Sequence, residues 1–89
     1  MPSATREQVR TYLVTKLLDG DDRGLSDDTD LLATGILNSF AILEFTFFLQ
    51  QTFSPRLSLH EMKASDFRNI SSIVQTVDAA IEADTLSNR

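Results

Sequence analysis

Residues 35–45 read GILNSFAILEF. A polar, glycine-bearing loop gives way there to an apolar helix, and two polar residues, Asn38 and Ser39, stand at the junction. Either could cap the free N–H groups of the first helical turn, and Asn38 suffices for that task. That leaves the purpose of Ser39, an exposed hydroxyl at a helix start, as the question for the rest of the chain. Where the helix begins decides the fold, because it divides the chain into a long first connection and the helices around it.

Downstream, Ile42, Phe45, Leu49 and Phe53 recur at spacings of three and four. That is the core stripe of a helix over about 39–53, with Leu43 and Thr46 placed beside it. Phe40, Glu44, Phe47 and Gln51 form a second stripe on the far side. A surface helix would be polar there. Phe40 is therefore read as facing a partner, while Phe47 is open to either a partner or another element of the fold. Ser54 and Pro55 end the helix. The stretch HEMKASDF suits a short helix over about 62–67, anchored by Met62 and Phe67. Asn69 caps a last helix over about 70–83, whose apolar positions are Ile70, Ile73, Val74, Val77 and Ile81. The tail DTLSNR is expected to fray.

Upstream, Val9, Tyr12, Leu13, Val14 and Leu17 mark an amphipathic helix over about 4–19, capped by Ser3, or by Thr5 with Gln8, and stopped by Gly20. Between these helices lies GDDRGLSDDTDLLATGILN. Leu25, Leu31, Leu32, Ile36 and Leu37 argue for an ordered loop held on the bundle, since a solvated linker has no use for them. Thr29 and Asp30 are placed to cap a turn inside it. Its aspartates lack the ligand order and closing glutamate of a calcium loop, so they are read as a solvated acidic surface. The expected architecture is all-α: a single domain over 1–89, with three main helices, one short helix and a long loop between the first and second.

Bulk composition narrows the function. The chain has 89 residues, 42% of them hydrophobic, with no cysteine and one histidine, His60. Thiolate zinc sites, disulfides and multi-imidazole metal sites are excluded. Net charge is −5, the wrong sign for a phosphate backbone, so no nucleic-acid partner is expected. No segment has the apolar length of a bilayer span and the N-terminus has no signal-type core. The expectation is a soluble, monomeric, cytoplasmic protein without a membrane partner. Three roles for Ser39 stay open on the residues alone. It could be a second cap, a nucleophile activated by His60, or a hydroxyl modified by another enzyme. The second lacks a triad and a glycine-rich oxyanion loop. The third suits the positive end of a helix, which favours an attached phosphodiester.

The run DTDLLATGILNSFAILEFTFFLQQTF, followed by DFRNISSIV, resembles the acyl and peptidyl carrier proteins over nearly its whole length. The matching residues are Asp30-Leu31, Gly35, Leu37, Asn38 and Ser39, then Phe40, Glu44, Phe53, Phe67 and Ile70. The resemblance implies a four-helix bundle and a non-enzymatic carrier. Ser39 would hold 4′-phosphopantetheine, donated by coenzyme A through a phosphopantetheinyl transferase, and the arm's thiol would carry an acyl or aminoacyl thioester. Leu37, Phe40 and Ala41 would ring the attachment point, Asn38 and Glu44 would meet partners, and Phe47 would extend that face. The implied partners are the transferase, an adenylating ligase or acyltransferase, and downstream tailoring or condensing enzymes. Two departures stand out: Asn38 replaces the usual aspartate, and the second helix keeps only one acid, Glu44. The first bears on which class of transferase accepts the chain, and the second points away from fatty-acid synthase partners. The GILNS turn resembles that of free-standing peptidyl carriers of natural-product pathways, with a specialised acyl carrier for polyketide or lipid chemistry as the alternative within the family. The competing reading is an unmodified helical adaptor that binds a partner through the second helix.

Overall fold

A computed structural model describes residues 4–21, 24–57 and 62–87. Among the described residues every regular element is helical. Helix α1 (Ala4–Tyr12) continues into a π-helical turn, Leu13–Leu17, and stops there. Asp19 and Gly20 take left-handed φ angles of 53° and 86°, which Gly20 adopts without a side-chain clash. The Gly20 N–H reaches back to the Val14 carbonyl at 2.8 Å. The first helix is thus shorter than the expected 4–19, and its end widens before the glycine stop. Thr5 does not cap it: its buried hydroxyl donates to Asp78 Oδ1 at 3.0 Å, joining the first helix to the last.

Helix α2 (Ser39–Thr52) buries Ala41, Phe45, Thr46 and Leu49. Thr46 is accommodated because its hydroxyl donates to the Ile42 carbonyl at 2.7 Å, so this buried oxygen is not left unmet. Phe45 is fully buried, with the rings of Tyr12, Phe48 and Phe67 centred 5.3, 6.1 and 6.3 Å away. After α2, Ser54 is buried and its hydroxyl donates to Asp84, whose carboxylate also pairs with Arg56. Those two donors, the Ser54 hydroxyl foremost, hold the Asp84 carboxyl below its ordinary range.

A 3₁₀ turn, Ala64–Phe67, follows, with Met62 and Phe67 buried. The short helix expected over 62–67 is therefore one tight turn. Helix α3 (Ile70–Ser87) is capped by Asn69, whose Oδ1 accepts the Ser72 N–H at 2.8 Å. It buries Ile70, Ile73 and Val77. Residues 84–87, expected to fray, remain helical, and the grip of Ser54 and Arg56 on Asp84 gives a physical reason.

The long connection is ordered where it is described, and charged side chains hold it alongside the leucines. Arg6 Nε lies 2.9 and 2.8 Å from the two carboxylate oxygens of Asp27, and Arg10 donates to the Leu25 carbonyl at 2.9 Å. The Ser71 N–H bonds the Asp27 carbonyl at 3.2 Å and the Leu31 N–H bonds that of Arg68 at 2.7 Å. With Leu25, Leu31 and Leu37 buried, the loop is tied to α1 and to the start of α3. No three acidic or imidazole groups converge as a metal site among the described residues. Nor, among them, is any helix long and apolar enough to cross a membrane.

Candidate functional site at the start of the second helix

The turn that precedes α2 is built by one aspartate and one glycine. Asp30 Oδ1 accepts the N–H groups of Leu32 and Ala33 at 3.1 and 2.8 Å, and the Thr34 N–H bonds the Asp30 carbonyl. Gly35 then takes φ +80°, turning the chain so that the Leu37 N–H meets the Leu31 carbonyl at 2.9 Å. Leu37 enters the core at 2% exposure. Anchored from below, Asn38 is held extended at φ −93°, ψ 179°, the geometry of a helix N-cap.

Asn38 Oδ1 accepts the Ala41 N–H at 2.8 Å, and its carbonyl accepts the Ile42 N–H at 2.8 Å. The Ser39 and Phe40 N–H groups of the first turn are left over. Ser39 is exposed, and its hydroxyl makes no hydrogen bond among the described residues. No acid stands in the first turn of α2, so no first-turn side chain neutralises the positive end of the helix. His60, on which a hydrolytic role would depend, lies outside the described residues.

The surface beside Ser39 is apolar. Phe40, Leu43 and Phe47 are 70%, 54% and 61% exposed. At i, i+3 and i+7 they form one strip, with exposed Glu44 within it. Phe47 is therefore not covered by another described element of the fold. Two expectations are corrected. Leu37 and Ala41 are buried at 2% and 6%, so they support the rim from beneath and do not ring the hydroxyl. Leu43, placed beside the core stripe, faces outward, because it lies about 200° around the helix from Phe45.

Sequence reasoning also missed the continuation of this strip. Phe48 is half-buried, and its ring stacks on Tyr12 of α1 at 4.4 Å. Burial, and after it the charge of Glu44, pushes the Tyr12 hydroxyl's titration upward. Its spacing of four from Glu44 would have put Phe48 at the edge of the same face.

No family model matches the chain. Among curated proteins it is 30% identical over 66 residues to a probable acyl carrier protein, PigG, of Serratia sp. (strain ATCC 39006). The aligned stretch covers 74% of this chain and 76% of that relative.

Proposed function

This chain belongs to the acyl carrier protein family, and from that premise we propose that Ser39 is the attachment point for 4′-phosphopantetheine. The protein would carry an acyl or aminoacyl group as a thioester on that arm. The single observation behind this reading is a division of labour between neighbours. Asn38 caps α2, so the exposed Ser39 hydroxyl is free of the duty that would otherwise explain it.

The residues present fit a phosphodiester. The Ser39 and Phe40 N–H groups and the uncompensated helix end offer donors and positive potential to a phosphate. In the loading step, Ser39 Oγ forms a bond to the phosphorus of coenzyme A that bears the pantetheine. The phosphoanhydride bond breaks, adenosine 3′,5′-bisphosphate leaves, and the hydroxyl proton passes to a base on the transferase. Once attached, the group supplies a thiol for thioester exchange. The chain itself contributes position and recognition, not catalysis. Asn38 fixes the helix end, Phe40, Leu43 and Phe47 offer apolar area to partner enzymes, and Glu44 offers one charge to orient them.

Within the family, the single acid on α2 favours a discrete peptidyl carrier served by an adenylating ligase over a partner of fatty-acid enzymes. Dependence on coenzyme A suggests a cytoplasmic setting. The exposed phenylalanines favour one second reading, an unmodified adaptor binding through the same strip. Intact-protein mass after incubation with coenzyme A and a broad-specificity phosphopantetheinyl transferase separates the two. The wild type should gain one phosphopantetheine and Ser39→Ala none. A folded wild type that gains nothing with this or a fatty-acid-type transferase would leave the adaptor reading, in which Phe40→Ala abolishes binding and Ser39→Ala does not.

A further inference from the structure

A groove of about 350 Å³ lies along α1 and the π turn that continues it. Phe48 forms its α2 wall, and nine residues of helix place Phe48 about 180° around α2 from Ser39. On the α1 side two rows with a spacing of four line it: Glu7, Thr11 and Thr15, then Gln8, Tyr12 and Lys16. Such rows are the ridges by which helices interlock. Glu7, Gln8, Thr11, Thr15 and Lys16 are exposed, and the half-buried Tyr12 stacks on Phe48 at 4.4 Å. In an unbroken α-helix, nine residues at about 100° each would put Lys16 about 180° around the axis from Glu7. The π turn over Leu13–Leu17 is wider and advances less per residue, which swings Lys16 back against the same groove as Glu7.

The face so formed has an acid at one end and a base at the other, about 13 Å apart along the axis. The Glu7 side chain is 60% exposed, and Arg6, 3.7 Å from it, is held by both carboxylate oxygens of Asp27. Lys16 has no ion pair among the described residues. Under a two-fold axis between Thr11 and Tyr12, Glu7 meets the partner's Lys16, Gln8 the partner's Thr15 and Thr11 the partner's Tyr12. Every helical face has that numerical symmetry. Opposite charges at the two ends make this one complementary to itself when the helices run antiparallel and repulsive when they run parallel. The threonines leave room for a partner ridge, and Tyr12 and Phe48 offer apolar area at the centre.

We propose that this face binds a second copy of the chain, α1 antiparallel to α1, in a weak symmetric dimer in place of the monomer expected from the sequence. Ser39, on the far side of α2, stays outside the interface. Seven residues line the face, against some 20–30 a side in a standard interface, and the net charge of −5 on each copy opposes approach. The dissociation constant is therefore expected on the order of 0.1–1 mM.

The test uses the unmodified chain, so its outcome is independent of the Ser39 attachment. ¹H–¹⁵N amide spectra are recorded from roughly 0.02 to 2 mM protein, a range that brackets such a constant. The amides of Gln8, Thr11, Thr15 and Phe48 should shift progressively with concentration, while those of Phe40 and Leu43 stay in place. Glu7→Lys puts like charges at both ends of the dimer, and so does Lys16→Glu. Each should weaken self-association about tenfold, with helix content by circular dichroism unchanged. Net charge alone predicts the reverse for Glu7→Lys, which makes the chain less negative. Mixing the two variants sets opposite charges against each other at both ends again, so unlabelled Lys16→Glu added to labelled Glu7→Lys should restore the shifts. No shift up to about 2 mM, shifts centred on Phe40 and Leu43, or a mixture that associates no better than its components would each overturn the dimer.

Discussion

Adjacent polar residues at one helix start do different work, and substitution separates them. Asn38→Ala removes the acceptor for the Ala41 N–H and should cost about 1 kcal/mol of stability by denaturant unfolding, while Asn38→Asp keeps the cap. Ser39→Ala, at an exposed hydroxyl without a bond, should stay within about 0.5 kcal/mol. A large loss there would mean that Ser39 is structural. Asp27 makes a residue-scale prediction in pH. The Arg6 guanidinium, mainly through its hydrogen bond, holds the Asp27 carboxyl below the ordinary 3.8. A carboxyl depressed in the folded state stabilises above its unfolded value, and that contribution is lost as pH falls through the folded value. Wild type and Asp27→Asn should therefore differ most above about pH 4 and converge below it in an acid titration followed by circular dichroism. A gap that widens on acidification would contradict the pairing. The two capping asparagines and the Asp30 turn were legible in the sequence because a cap is a local device. The places of Leu37 and Ala41 were not, because nearness to Ser39 along the chain does not put a side chain on the same surface. Leu37 precedes the helix at a bend and is buried, and Ala41 lies about 200° round from Ser39.

At the scale of elements, the 3.6-residue period located the helices, and their ends obeyed forces that the period does not contain. Helix α1 slackens into a π turn before Asp19 and Gly20. Helix α3 outlasts its apolar stripe because Asp84 is held by Ser54 and Arg56 from the other side of the bundle. Such contacts across 28 and 30 residues leave no local pattern. Face assignment is where the period should have been applied more strictly. Phe45 and Leu43 are two residues apart on α2, one fully buried and one 54% exposed. Truncation reads the difference directly. Phe45→Ala opens a cavity among three rings and should cost on the order of 3–5 kcal/mol, whereas Leu43→Ala should cost under about 0.5 kcal/mol. Comparable losses by chemical denaturation would mean that the inner and outer faces of α2 are wrongly assigned.

Across the whole molecule, net charge and the character of the proposed docking face point in opposite directions. The chain carries −5 overall, yet α2 presents Phe40, Leu43 and Phe47 with Glu44 as its one ionisable side chain. The acids of the long loop are partly engaged internally, Asp27 by Arg6 and Asp30 by Arg68 at 3.6 Å. Long-range attraction to a basic partner would act on the net charge and be screened by salt within about 10 Å at 0.1 M, whereas burial of phenylalanine would not. If the apolar strip carries recognition, truncating one of its anchors should cost more than neutralising its charge. For loading by the transferase, Phe40→Ala should lower kcat/KM about tenfold, equal to roughly 1.4 kcal/mol, and Glu44→Gln by less than about threefold. Raising sodium chloride from roughly 50 to 500 mM should likewise change wild-type kcat/KM by less than about threefold. Phe40 is 70% exposed in the free protein, so Phe40→Ala should keep its melting temperature and any loss reports on docking. A steep salt dependence with an unimpaired Phe40→Ala would instead assign recognition to the acidic loop.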